Sequence, residues 1–176
     1  ADTSPLGLAD EHVATEQMLA ESGIAYALLR NGWYTENYLA SAPAALEHGV
    51  FIGAADEGKI ASATRADYAA AAARVISEDG HAGKTYELAG DAGWTLSQLA
   101  AELAKQSGKK VVYQNLSEAD FAAALKGVGL PAGLADMLAD SDTGASKGGL
   151  FDDSHTLSKL IGRPTTSLAD SVKGIV

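Results

Sequence analysis

Five residues in the stretch from Arg30 to Asn37 (RNGWYTEN) have the types needed to hold a flat, polar ring. Asn31 and Asn37 carry amides, each able to donate and to accept hydrogen bonds. Trp33 and Tyr34 present ring faces for stacking, and each ends in a polar tip. Gly32 has no side chain to keep a backbone and a ligand apart. The segment follows an apolar run, Ile24–Leu29. That run reads as a strand apolar on both faces, the pattern of a parallel sheet covered by helices on each side. Ligands of open α/β sheets bind beyond the carboxyl ends of such strands, which is where these residues lie. The other reading of the same residues is an Asn31-Gly32 turn followed by packing aromatics.

Other motifs fail on their context. Gly127 to Gly133 (GVGLPAG) resembles a dinucleotide fingerprint but has one residue too many, no strand before it, and Pro131 inside it. Gly144 to Gly148 (GASKG) matches G-x-S-x-G, yet Asp140–Thr143 before it read as loop, where a nucleophile elbow needs a strand. Asp140 and Asp142 suggest a calcium loop, but the glycine comes too early and the twelfth position is Phe151. His12, His48, His81 and His155 show no pairing at metal spacing, so no metal is expected. His12 shares a helix face with Leu8, Thr15 and Leu19, where a lone histidine is more often structural.

The elements that must position these residues alternate along the chain. Helices are expected at Leu8–Ser22, Asn37–Leu46, Ala66–Ser77 and, opened by the Thr95–Gln98 capping box, to about Gln106. Further helices are expected from Ser117, over Ala132–Ala139, Ser154–Ile161 and Ser167–Lys173, with Asp140–Gly149 as loop. Strands are expected at Ile24–Leu29, Thr85–Ala89 and Val111–Asn115. Val50–Ala55 and Lys59–Thr64 flank Asp56-Glu57-Gly58 and read as a hairpin. Such alternation indicates the α/β class with a partly parallel sheet.

The composition narrows the function. The chain has 176 residues, 47% hydrophobic and 20% charged, as a folded globular chain has. Its net charge of −10 argues against nucleic acid and anionic membrane surfaces as partners. It has no cysteine, which removes thiolate chemistry and disulfides and fits a cytoplasmic protein. No run reaches the roughly 18 apolar residues of a membrane span. The first residues have neither the basic nor the apolar region of a signal peptide.

Gly7–Glu16, then Leu19, Ser22–Ile24, Leu29–Tyr34 and Asn37, resemble the NmrA-like atypical short-chain dehydrogenases, which include bacterial NAD(P)H:quinone oxidoreductases. The resemblance continues through Ala42–Ala55 (APAALEHGVFIGAA), Lys59–Ile76, Tyr86–Leu103, Tyr113–Pro131 and Ser146–Pro164. It implies the C-terminal portion of a Rossmann-type NAD(P)-binding fold. Residues 1–49 would be the last part of that domain and 50–176 mostly a substrate-side α/β domain. The glycine fingerprint half is expected to be absent.

By the same resemblance Asn31, Gly32 and Trp33 lie beside the nicotinamide of NADPH (or NADH), and Tyr34 and Asn37 face a quinone substrate. The Tyr-x-x-x-Lys pair of classical short-chain dehydrogenases has no counterpart; its places fall at Leu8 and His12, which makes His12 a candidate for positioning a ribose or protonating a reduced quinone. Two further readings stand beside the enzyme: a non-catalytic NAD(P)-sensing module, and an inactive fragment. A parallel sheet cut part-way leaves a strand edge that a second copy would cover, as a homo-oligomer.

Overall fold

Two parallel strand pairs organise the chain. The computed structural model describes residues 4–176. Its elements are α1 (Ala9–Glu21), β1 (Leu28–Asn31), α2 (Thr35–Leu39), α3 (Ala42–His48), β2 (Val50–Gly53), α4 (Arg65–Ser77) and β3 (Thr85–Leu88). They continue as α5 (Leu96–Ser107), β4 (Val112–Asn115), α6 (Glu118–Gly127), α7 (Ala132–Ser146), α8 (Thr156–Ile161) and α9 (Leu168–Lys173). β1 pairs with β3 in register Leu28 to Thr85 and Asn31 to Leu88. β2 pairs with β4 in register Val50 to Val112 and Gly53 to Asn115. Parallel neighbours need crossovers, and α4 and α5 lie in those crossovers. The α/β class expected from the sequence is the class observed.

Local sequence explains most helix ends. Thr95 Oγ1 accepts from the Gln98 N–H while the Gln98 side chain accepts from the Thr95 N–H, the reciprocal capping box read from the sequence. Thr64, Ser117 and Ser167 cap α4, α6 and α9 in the same one-sided way. In α5, Leu96, Leu99, Ala100 and Leu103 recur at helical spacing and are all buried, so that face packs into the largest core cluster beside Phe51, Ile60 and Trp94. A second cluster joins α6 to α7 through Phe121, Leu125 and Ala139. A third joins α4, β3 and α8 through Tyr68, Leu88 and Leu157.

Four expectations are corrected. The first strand begins at Leu28, not Ile24, because its partner begins only at Thr85; Ile24 lies 67% exposed. Val50–Ala55 and Lys59–Thr64 form no hairpin. Asp56 takes a positive φ of 50° and Gly58 N–H closes a turn on Ala55, but β2 is paired in parallel with β4. The returning segment is drawn instead to Trp94, through Ile60, and to Tyr34, through Ala63. Residues 140–146 are helix rather than loop. The small polar residues that suggested a loop find partners: Ser141 donates to the Met137 carbonyl, and Asp142 accepts from two groups outside the helix. Finally, α1 carries the expected helix, but none of its residues is buried, so His12 stands exposed rather than among packed apolar side chains.

Asp67, at the third position of α4, is a structural hub. It is fully buried and accepts from the Thr166 N–H at 2.9 Å and the Thr64 hydroxyl at 2.9 Å, with the Arg163 guanidinium at 2.7 Å. Burial pushes its carboxyl up. The hydrogen bonds from Thr166 and Thr64, with the bond from Arg163, outweigh that and hold it below the ordinary aspartate value. Its folded value is therefore lower than its unfolded one. The stabilisation is complete above the unfolded value and is lost as pH falls through the folded one.

Among the described residues no helix is long and apolar enough to cross a membrane. Asp67→Asn is expected to lower unfolding stability by about 2 kcal/mol at neutral pH. The deficit should shrink in acid, as denaturant titrations at neutral and acidic pH would show; an equal deficit at both would remove the charge from this account.

Candidate functional site

The segment after β1 is fixed by its backbone. Gly32 N–H donates to the Leu88 carbonyl at 2.8 Å, prolonging the β1–β3 ladder by one residue. A Cβ on Gly32 would meet that carbonyl oxygen at 3.1 Å. The close approach that glycine allows here is thus to β3. Two bonds then tie the chain to the 60s segment: Ala63 N–H to the Trp33 carbonyl (3.1 Å) and Thr35 N–H to the Ala63 carbonyl (3.0 Å). The Tyr68 hydroxyl adds a bond to the Trp33 carbonyl at 3.2 Å. Thr35 and Ser62 share a buried hydroxyl pair at 2.7 Å.

Held this way, the candidate side chains divide into two groups. Asn31, Tyr34 and Asn37 form an outer wall. Asn31 is exposed and donates from Nδ2 to the Tyr34 hydroxyl at 3.3 Å. Tyr34 stands edge-on to Tyr68, ring centres 5.3 Å apart. Arg65, the first residue of α4, lies over the Tyr34 ring at 4.9 Å and donates to Asn37 Oδ1 at 2.9 Å. The amide of Asn37 is thereby oriented, since a guanidinium only donates.

Trp33 turns inward. It is 9% exposed, and its ring centre is 6.5 Å from that of Tyr38, which in turn stands edge-on to Trp94. Trp33, Asn37, Tyr38, Ser41, Phe121 and Asp142 are among the residues lining a cavity of about 40 Å³. That is room for a water-sized guest. The Trp33 Nε1 is buried with no hydrogen-bond partner among the described residues.

Asp142 was missed by the sequence reading, which placed it in a loop. It is buried, accepting from the Tyr38 hydroxyl (2.9 Å) on one oxygen and the Ala54 N–H (2.9 Å) on the other. Burial raises its carboxyl above the ordinary value, and the two hydrogen bonds only partly oppose this. Tyr38 shifts upward for the reciprocal reason: burial first, then the neighbouring Asp142 charge. Gly53 leaves the space, since a Cβ there would lie 2.8 Å from Asp142 Oδ2. Arg65 was missed too; its position at the start of a helix carries no signal of what it faces.

His12 is not brought to this wall by any hydrogen bond among the described residues. The link between α1 and β1 is Arg30, which holds Glu16 (Nε to Oε1, 2.7 Å) and Glu87 (2.6 Å). The rejected motifs remain rejected on new grounds. Ser146 ends α7 and donates to Thr143, with no strand before it, and Asp140 accepts from the Gly7 N–H at 2.8 Å. Gly127–Gly133 spans the α6–α7 junction. Among the described residues no group of three or more His, Asp or Glu side chains is placed to hold a metal.

Tyr38→Phe is expected to cost about 1–2 kcal/mol, because it leaves one Asp142 oxygen without a donor. With its donor gone, the folded Asp142 value rises further above the unfolded one. The penalty should therefore grow as pH climbs from below the ordinary aspartate range to neutrality. Thermal melts of both proteins across that range would test it; a pH-independent gap would show that Asp142 bears no charge in the fold.

No family model matches the chain. Quinone oxidoreductase 2 of Escherichia coli strain K12 is 86% identical over 172 residues, 98% of this chain and 60% of that protein. A crystal structure of the E. coli NADPH-dependent quinone oxidoreductase complexed with NADPH superposes with a TM-score of 0.97 at 84% identity, covering 99% of this chain and 62% of that one. The Citrobacter sp. triphenylmethane reductase complexed with NADP(H) gives 0.93 at 37% identity, over 62% of its chain. The sequence thus spans about 60% of the length of the curated relative it matches most of the way along. The chain is closely similar to part of the E. coli quinone oxidoreductase 2, and its α/β fold superposes on the corresponding part of that enzyme's structure.

Proposed function

We propose that the chain is the substrate-side portion of an NAD(P)H-dependent quinone oxidoreductase. In this reading Asn31, Gly32 and Trp33 line the nicotinamide side, and Tyr34 and Asn37 the quinone side. The observation that carries it is the wall itself. Two amides and a phenol ring, bonded into one surface at the carboxyl end of a parallel strand, are held by a backbone clamp to β3 and the 60s segment. The fit to a nicotinamide rests on the exposed Asn31 amide, which complements a carboxamide.

NADPH, when bound, supplies the hydride. The chain's own residues orient and shield. The Tyr34 ring, with Arg65 over one face, takes a flat ring alongside it, the amides align its oxygens, and the buried Trp33 closes the inner side to water. Holding two rings at near-attack distance is worth several orders of magnitude in rate without any acid or base. A reduced quinone can take its proton from water, which suits a site with no Tyr-x-x-x-Lys pair. His12, exposed on α1, is retained only as a candidate proton donor.

The direct test titrates NADPH into this chain, followed by tryptophan fluorescence, then adds naphthoquinone and follows NADPH oxidation. Binding with turnover would establish an active site complete within these 176 residues. Binding without turnover favours a sensing module. No binding, beside turnover by a chain of the relatives' full length, would make this the substrate-side portion alone. In whichever chain turns over, Asn31→Ala should lower kcat/KM about tenfold with little change in Tm, since Asn31 is exposed and makes one long hydrogen bond. Undiminished quinone reduction in that variant would remove Asn31 from the site.

A further inference from the structure

Arg65 is the one cation bonded into the outer wall among the described residues, and the reading above gives it no role. Its guanidinium lies over the Tyr34 ring at 4.9 Å and donates from Nη2 to Asn37 Oδ1 at 2.9 Å. Its side chain is nevertheless 56% exposed. Among the described residues, Asn37 alone takes a hydrogen bond from that guanidinium. Glu36 Oε2 stands 3.9 Å from Nη1, too far for one, while Glu36 Oε1 is committed to the Arg65 backbone N–H at 2.9 Å. Nε and Nη1 therefore keep their donors, on a side chain already stacked and oriented.

We propose that Arg65 is a specificity-determining residue that favours flat-ring acceptors bearing an anionic oxygen group, such as a sulfonate or carboxylate on a quinone ring. The proposal rests on the pocket reading above and deepens it. In that reading Tyr34 and Asn37 are the acceptor-side residues, and Arg65 covers one face of Tyr34, so a flat ring lying alongside Tyr34 and Asn37 would carry its substituents to the open Nε and Nη1 donors. A planar fork with two open donors fits a two-oxygen anion. Because contacts to Tyr34 and Asn37 already restrict the side chain, little rotamer freedom remains to be lost on binding. The opposing charge is Glu36, close enough to offset part of the field but not to occupy the donors. On a chain of net charge −10, a local cation at the wall is also what lets an anionic ligand approach.

The test compares neutral naphthoquinone with a monosulfonated naphthoquinone, each titrated against this chain by tryptophan quenching at low salt. The unaltered chain should bind the sulfonate about tenfold more tightly, a preference that added salt weakens. Arg65→Gln should bring the ratio of the two affinities close to one, Arg65→Lys should retain part of it, and Glu36→Gln should enlarge it. Circular dichroism and melting temperature confirm that each variant is folded. A ratio unmoved by Arg65→Gln overturns the proposal while leaving the pocket reading intact. Binding of neither quinone overturns the pocket reading and this proposal with it. An Arg65-dependent gain seen for nicotinamide mononucleotide and not for the sulfonated quinone assigns the cation to a cofactor phosphate, and overturns the choice of the acceptor.

Discussion

The wall at the end of β1 depends on a backbone clamp. A strand of four residues, paired on one side with another of four, would fray within a residue or two of its end. Here the ladder continues past the strand through Gly32 to Leu88. Trp33 and Thr35 are then both bonded to Ala63. Each of these bonds is worth only about 1 kcal/mol net. Their effect is geometric: they fix the φ and ψ of residues whose side chains leave the chain in different directions. Asn31 and Tyr34 are directed to the open face, and Trp33 to the core.

The second constraint comes from behind. Asp142, Tyr38 and Trp33 form a chain of contacts from α7 through α2 to the wall. A buried carboxyl is unfavourable unless its oxygens are satisfied, and both are. The arrangement fixes α7 to β2 through Ala54 and to α2 through Tyr38, so the aromatic layer under the wall cannot slide without breaking a bond to a buried acid. This helps explain why a stretch as polar as Ser141-Asp142-Thr143 is helical: Asp142 finds its partners on other elements, and Ser141 bonds back to Met137 within the helix.

What the sequence made legible follows the range of the interactions. The capping box at Thr95–Gln98 is local and was read correctly. Asn31, Tyr34 and Asn37 were legible as neighbours because they sit within seven residues of one another at a strand end, whereas the inward turn of Trp33 was not. Asp142 and Arg65 were not, since their roles are set by residues 104 and 28 positions away. The hairpin failed for a related reason. Asp56-Glu57-Gly58 does turn, but a turn cannot specify which strand its flanks will pair with, and Val112–Asn115 offered β2 a full parallel register.

The wall is consequently asymmetric in charge and solvent. Its inner side is a buried acid, satisfied and raised in pKa, beside an indole N–H with no partner. Its outer side is an exposed guanidinium with donors to spare. Asn37 belongs to both, lining the inner cavity while its oxygen is held by Arg65. The Arg65 bond takes one lone pair of that oxygen; its other lone pair and the amide N–H groups have no partner among the described residues, and neither does the Asn31 oxygen. The outer wall therefore keeps donors and acceptors side by side, while the unpartnered Trp33 Nε1 lies buried behind it.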